Sequence, residues 1–172
     1  NIPDPENDDH GPGTYTYPTD GVFKSGVFDL LGFQVGIDEN NLVFRISVSG
    51  PVENPWGSPN GLAIQLVDIY IDTTPGAGNL TMRNGRNGAF PPTSGWDYAL
   101  TLAGWNQGVF IASEPEKAST GIPLTIITDP GKNMIIAKIP LAAIPGDPLQ
   151  WGYGRNAGYC RYRLRQLRQR SH

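Results

Sequence analysis

The chain is short of the residues on which most enzyme chemistry is built. Its 172 residues include two histidines and one cysteine. One histidine is the terminal His172 and the other is His10. A Ser/His/Asp or Cys/His nucleophile set has almost nothing to draw on. An imidazole- or thiolate-based transition-metal site is equally poorly supplied. The lone Cys160 excludes an intrachain disulfide, which surface proteins of heat-loving and other microbes manage without. No apolar run approaches the ~18 residues of a membrane-spanning helix, and no secretory leader is visible. The opening on Asn1 without methionine reads as a processed or excised chain.

Charge is also scarce, at 17% of residues, and unevenly placed. All 16 acids lie at or before Asp147, against seven basic residues in positions 1–154, a net −9. The last 18 residues carry six arginines and no acid. An acidic body argues against nucleic acid as a partner. It suits calcium, which takes clustered carboxylate and carbonyl oxygens.

What is abundant is glycine (22) and proline (16), against 38% apolar residues. Between the Gly/Pro clusters stand clean alternating runs, so the composition predicts many short strands: an all-β antiparallel sandwich. Strands are expected at Thr14–Tyr17, Val27–Ile37, Leu42–Val48, Leu62–Asp72, Trp96–Ala103, Gln107–Ser113, Pro123–Thr128 and Asn133–Ile139. Leu42, Phe44, Ile46 and Val48 alternate with Val43, Arg45 and Ser47, the period-two pattern of a strand with one buried face. Asp129-Pro130-Gly131-Lys132 reads as a turn, with proline presetting φ and glycine taking positive φ. Glu114–Thr120 reads as a polar connection, Leu141–Ile144 as a helical turn, and Thr73–Gly95 as a long loop of the kind that carries function.

The polar opening offers oxygen ligands at Asp4, Glu6, Asn7, Asp8 and Asp9. Their spacing is not that of an EF-hand, so calcium here needs a loop site completed from elsewhere; the alternative is a solvated acidic arm with Asx-turns. Sugar rings pack their C–H faces on aromatic planes and their hydroxyls need polar neighbours. Trp56 in its Pro/Gly loop and Trp105 are the candidate planes, with Trp96 expected in the core. Asn60, Arg83, Asn84, Arg86, Asn87 and Gln107 are the candidate hydrogen-bonding partners. Glycoside hydrolysis needs two carboxylates, about 5 Å apart in retaining enzymes. Asp68 and Asp72 share one strand face at roughly 13 Å, so the chain is expected not to be an enzyme. Asn79-Leu80-Thr81 matches the N-glycosylation sequon.

A longer series of motifs carries a resemblance. It runs Asp4-Pro5-Glu6-Asn7-Asp8-Asp9-His10-Gly11-Pro12-Gly13-Thr14-Tyr15-Thr16-Tyr17-Pro18, then Gly26-Val27-Phe28-Asp29-Leu30 and Asn54-Pro55-Trp56-Gly57-Ser58-Pro59-Asn60-Gly61. It continues through Val67-Asp68-Ile69-Tyr70-Ile71-Asp72, Gly95-Trp96-Asp97-Tyr98-Ala99-Leu100 and Gly104-Trp105. Over residues 4–151 this resembles the C-terminal module of glucodextranase and related amylolytic and surface-layer proteins. The resemblance implies a β-sandwich similar to DOMON domains and family-nine carbohydrate-binding modules. It implies a non-catalytic, extracellular or cell-surface role: binding a polysaccharide or cell-envelope glycan, accessory to an α-glucan-acting enzyme to which it is linked. Calcium fits this wider group, and Asp29 and Asp97, in resembling motifs, are the residues expected to complete the acidic arm's site. The rival reading is a self-assembling structural subunit of a surface layer or extracellular fibre, pairing with copies of itself.

The resemblance stops after Trp151. Residues 1–151 are therefore read as the binding module and 152–172 as an atypical Arg-rich tail. The tail reads as a basic arm for an anionic envelope polymer, as a disordered or short helical extension, or as an altered reading frame. In the last case the sandwich lacks a strand and exposes an edge.

Overall fold

The computed structural model describes residues 2–9, 16, 18–86, 88–155 and 162–163. Eleven strands form: β1 (Ile2–Pro3), β2 (Leu30–Asp38), β3 (Asn41–Val48), β4 (Val67–Asp72), β5 (Tyr98–Leu102), β6 (Gly108–Ile111), β7 (Glu114–Ala118), β8 (Thr125–Asp129), β9 (Met134–Pro140), β10 (Gly152–Arg155) and β11 (Tyr162–Arg163). They build a five-stranded sheet, β1-β2-β3-β9-β8, and a six-stranded sheet, β11-β10-β4-β5-β6-β7. Pairing is antiparallel in both. The fold is the all-β sandwich that the alternation predicts.

Alternation decides which side chains meet. On β3, Leu42, Phe44, Ile46 and Val48 enter the core. Facing them across the sandwich are Ile69 and Ile71 of β4, Leu100 and Leu102 of β5, and Tyr153 of β10. A single-residue slip of any of these strands would turn its whole apolar set outward, so the pattern fixes the register.

Several expected elements change on folding. The run Leu62–Asp72 is a strand only from Val67. Leu62 is fully buried, yet its segment is a loop, with Gln65 Nε2 donating to the carbonyls of Val27 (3.2 Å) and Pro51 (3.0 Å). Glu114–Ala118 is a strand after all, the edge strand β7, whose polar side chains are mostly exposed. Its register against β6 jumps from Phe110↔Ala118 to Ile111↔Glu114. In the β8–β9 turn the positive φ falls on Asn133 (49°), which follows the 3-10 turn Pro130–Lys132, and not on Gly131. The turn expected at Leu141 forms as a 3-10 turn over Leu141–Ala143. Of the strand expected at Thr14–Tyr17, only Thr16 is described, and it is not in a strand. β10 begins one residue after Trp151 and pairs with β4 over four positions, so residues 152–155 are part of the second sheet.

The outer face of the second sheet is closed as well. β4 presents Asp68, Tyr70 and Asp72 on that face, and all three are buried. The cover is the long loop of residues 73–95. A second apolar cluster of Tyr70, Trp96, Ala99 and Phe110 packs there with Met82 and Phe90. The Tyr70 ring meets Phe90 edge-on at 4.9 Å and Trp96 at 5.6 Å. Trp96 Nε1 donates to the Thr81 carbonyl at 2.9 Å, satisfying the one polar atom that burial would strand.

Charge latches this cover. The Asp68 carboxylate, fully buried, receives Arg86 through Nε and Nη2 (3.1 Å) and the Thr101 hydroxyl (2.6 Å). Arg83 donates to the Thr101 hydroxyl, and its guanidinium carbon lies 3.1 Å from the Phe110 ring centroid. Breaking such a pair strands a charge in low dielectric. Arg86→Ala is expected to cost about 3 kcal/mol, read as a lowered urea midpoint. Replacing the pair together by Asp68→Leu and Arg86→Met should recover most of it. An unchanged midpoint for the single variant would refute the latch.

Tyr153 is buried against Phe44 and Trp151 and donates its hydroxyl to the Pro148 carbonyl at 3.1 Å. Burial, then the nearby Asp147 charge, pushes its ionisation up, and burial does the same for Tyr70. The unfolded phenol ionises near pH ~10 while the folded one does not. The stabilisation is therefore complete below that pH and is lost as pH rises through the folded values. Denaturant titrations should show stability falling above pH ~10, with a shallower fall in Tyr153→Phe.

Candidate functional site

The four tryptophans divide cleanly. Trp96 and Trp151 are buried in the two apolar clusters, whereas Trp56 and Trp105 are 56% and 50% exposed. A large apolar side chain left in water on a structured loop needs a reason, because its burial is worth ~2 kcal/mol or more.

The two exposed indoles are carried by loops that are locked to each other. Trp56 lies in the loop between β3 and β4, and Trp105 in the turn between β5 and β6. Asn60 Nδ2 donates across to the Ala103 carbonyl and to Gln107 Oε1, both at 2.7 Å. Gly104 sits so close that a Cβ there would lie 2.8 Å from Ser58 Cβ and would also strike the Leu62 carbonyl oxygen. Only glycine allows that approach. The first loop is itself stapled: Asn54 accepts from the Ser58 amide (2.7 Å) and donates to the Ser58 carbonyl (2.9 Å). Gly57, with φ 66°, makes the turn just after Trp56. Leu66, 52% exposed, adds an aliphatic surface where this loop enters β4. The product is a rim at one end of the sandwich: two interlocked loops that carry two half-exposed indoles and the amides of Asn60 and Gln107.

Arg83 and Arg86, expected among the sugar contacts, have other work. Their guanidinium groups are held by Asp68, Thr101 and Phe110 on the outer face of the second sheet, and Arg83 Nε also donates to the Pro115 carbonyl at 3.4 Å. Burial lowers the Arg83 pKa from its ordinary value, while the Asp68 charge opposes that shift. Asn84 is exposed on the same loop, and Asn87 lies outside the described residues.

The acidic arm is drawn to one of its two expected partners. The Asn7 amide, at a positive φ of 68°, donates to Asp29 Oδ2 at 2.8 Å, and the Asp4 amide donates to the Leu31 carbonyl at 3.0 Å. Asp29 is 1% exposed, and its Oδ1 receives no hydrogen bond among the described residues. Asp9 is half-buried and Asp8 exposed. Asp97 is placed elsewhere, beside β5 in the second sheet. Its Oδ2 accepts from the amides of Thr73 (2.7 Å) and Thr74 (2.9 Å) and from the Thr73 hydroxyl (2.8 Å), so it caps the start of the covering loop. Gln65, missed by sequence reasoning, also has a buried acceptor without a donor among the described residues, its Oε1. Among the described residues, no three His, Cys, Asp or Glu side chains stand together as a metal-holding group.

A shallow polar cavity of about 290 Å³ lies along β6 and β7, lined by Ile111, Ser113, Glu114 and Lys117 to Thr120. It has no aromatic wall, so it lacks the stacking surface that the rim supplies. No helix among the described residues is long and apolar enough to cross a membrane.

No curated protein matches the chain. A family model matches residues 1–171, tail included, and its family is described as the C-terminal, SLH-like binding module of glucodextranase. With that match over nearly the whole length, the chain belongs to the family of glucodextranase C-terminal binding modules.

Proposed function

We propose that this module binds carbohydrate chains outside the cell, α-glucan or envelope glycan, through the rim that holds Trp56 and Trp105, and so keeps an amylolytic enzyme or surface protein on its substrate or envelope. The observation that carries the reading is the pair of half-exposed indoles on loops fixed by Asn60 and Gly104. The indoles offer flat apolar faces to sugar C–H groups, and Asn60 and Gln107 supply donors and acceptors for ring hydroxyls. The outer face of the second sheet is filled by its own loop, which leaves the rim as the open aromatic surface among the described residues. The family's place as a binding module of glucodextranase supports an accessory role beside a catalytic domain.

Affinity electrophoresis against soluble starch, pullulan and dextran tests this. Retardation is expected in at least one gel. Trp56→Ala and Trp105→Ala should each weaken it about tenfold, or ~1.4 kcal/mol, with unchanged circular dichroism. Undiminished binding in both variants, or no retardation in any glycan, would overturn the assignment to the rim.

Calcium is the second part of the proposal. A carboxylate that is buried and only half hydrogen-bonded is costly unless something neutralises it. Asp29 is such a group, and the arm carrying Asp4, Asn7, Asp8 and Asp9 lies against it. With no trio of acids in the described residues, amide and carbonyl oxygens would supply the remaining ligands. A bound cation would pin the arm to the sandwich. Calorimetry with calcium and with chelator is expected to separate the melting temperatures, since a ligand bound only to the native state adds about 2.7 kcal/mol at a hundredfold its Kd. Asp29→Asn should abolish the difference. Coincident melting curves for the wild type would remove calcium from the account.

A further inference from the structure

The sequon Asn79-Leu80-Thr81 is used neither by the core nor by the rim. It stands in the covering loop just after two glycines at positive φ, Gly76 (83°) and Gly78 (84°). Its backbone is firmly placed: Asn79 exchanges hydrogen bonds with Trp96 at 2.8 and 3.0 Å, and the Thr81 carbonyl accepts from Trp96 Nε1. A Cβ on Gly78 would strike the Trp96 carbonyl, which holds the crossing tight. Its side chains are at the surface. Thr81 is exposed, Asn79 is half-buried, and Leu80 is 37% exposed. The Asn79 side chain forms an Asx-turn in which Oδ1 accepts from the Thr81 amide at 2.9 Å. Its Nδ2 makes no hydrogen bond among the described residues.

These features together point to a modification site. We propose that Asn79 is an acceptor for an N-linked glycan. The inference rests on the exported setting of the proposed function, which brings the chain to the compartment where such transfer occurs. The donor is an oligosaccharide carried on a polyprenyl phosphate or pyrophosphate. Nδ2 forms a bond to the sugar's anomeric carbon as that carbon's bond to the phosphate oxygen breaks. The amide gives up one proton, and the lipid phosphate leaves with the bonding pair. The Thr81 hydroxyl, two residues on, is the group a transferase reads. The half-buried Asn79 and the exposed Thr81 leave the acceptor at the surface. A glycan there would also shade Leu80, an aliphatic side chain left in water beside it.

The test is secretion of the full chain, with an Asn-Gly-Thr tag added at its N-terminus, from a eukaryotic host in which the tag is glycosylated. Peptide mass spectrometry is expected to find sugar on Asn79 as well as on the tag. Asn79→Gln and Thr81→Ala should each remove only the second glycan, while Thr81→Ser should retain a fraction of it. Amidase release should convert Asn79 to aspartate. A bare Asn79 peptide beside a modified tag would overturn the proposal. Glycan-gel retardation measured on the same preparation keeps that result separate from the fate of the Trp56–Trp105 rim.

Discussion

A single buried carboxylate organises the second half of this molecule. Asp68 stands on the outer face of β4, where an ionised group without a partner is untenable. Arg86 must come to it, and Arg86 sits in the loop of residues 73–95. Drawing that loop over the sheet also buries Tyr70, Phe110 and Trp96 and creates the second apolar cluster. A face that would otherwise be a broad open platform becomes an interior. Among the described residues, the half-exposed indoles that remain are on the loops at the sheet's end. The location of the candidate site thus follows from an ion pair that takes no part in it.

Much of this fold was legible from alternation and turn chemistry together. The hairpin of β2 and β3 was visible from the alternation of β3, and that of β8 and β9 from the Asp129-Pro130-Gly131-Lys132 turn between two apolar runs. The failures have physical causes. Leu62, Ile64 and Leu66 mimic strand spacing, but Leu62 is buried from an irregular loop and Leu66 is exposed. β7 was unreadable because Glu114, Glu116 and Lys117 bury little, as suits an edge strand that must resist pairing with other chains. At the β8–β9 turn a local rule favoured Gly131, yet the 3-10 geometry moved the left-handed position to Asn133.

The site was legible to a similar degree. Trp56 announces itself by lying among prolines and glycines, where a core role is hard to build, whereas Trp105, flanking a strand, could equally have packed inward until the structure showed it half-exposed. Arg83 and Arg86 looked the same as any loop cations, since their partners Asp68 and Thr101 are brought to them only by tertiary closure. Asp97 is the mirror of that case: a carboxylate beside an aromatic motif that folding uses to start a loop. Asp29 was selected for its motif, but its burial and unmet oxygen belong to the packed structure. Gln65 gave no signal at all, because nothing in a sequence marks an amide whose nitrogen will be held by two distant carbonyls.

The contact at Gly104 has one more consequence. Because Gly104 packs directly against Ser58 and Asn60 ties the same two loops together, the spacing of the tryptophan loops is settled when the chain folds. The ordering entropy of those loops is met then and does not have to be met again by whatever lands on them. On the proposed reading, such a surface would favour partners whose own repeat already matches the spacing of the two loops.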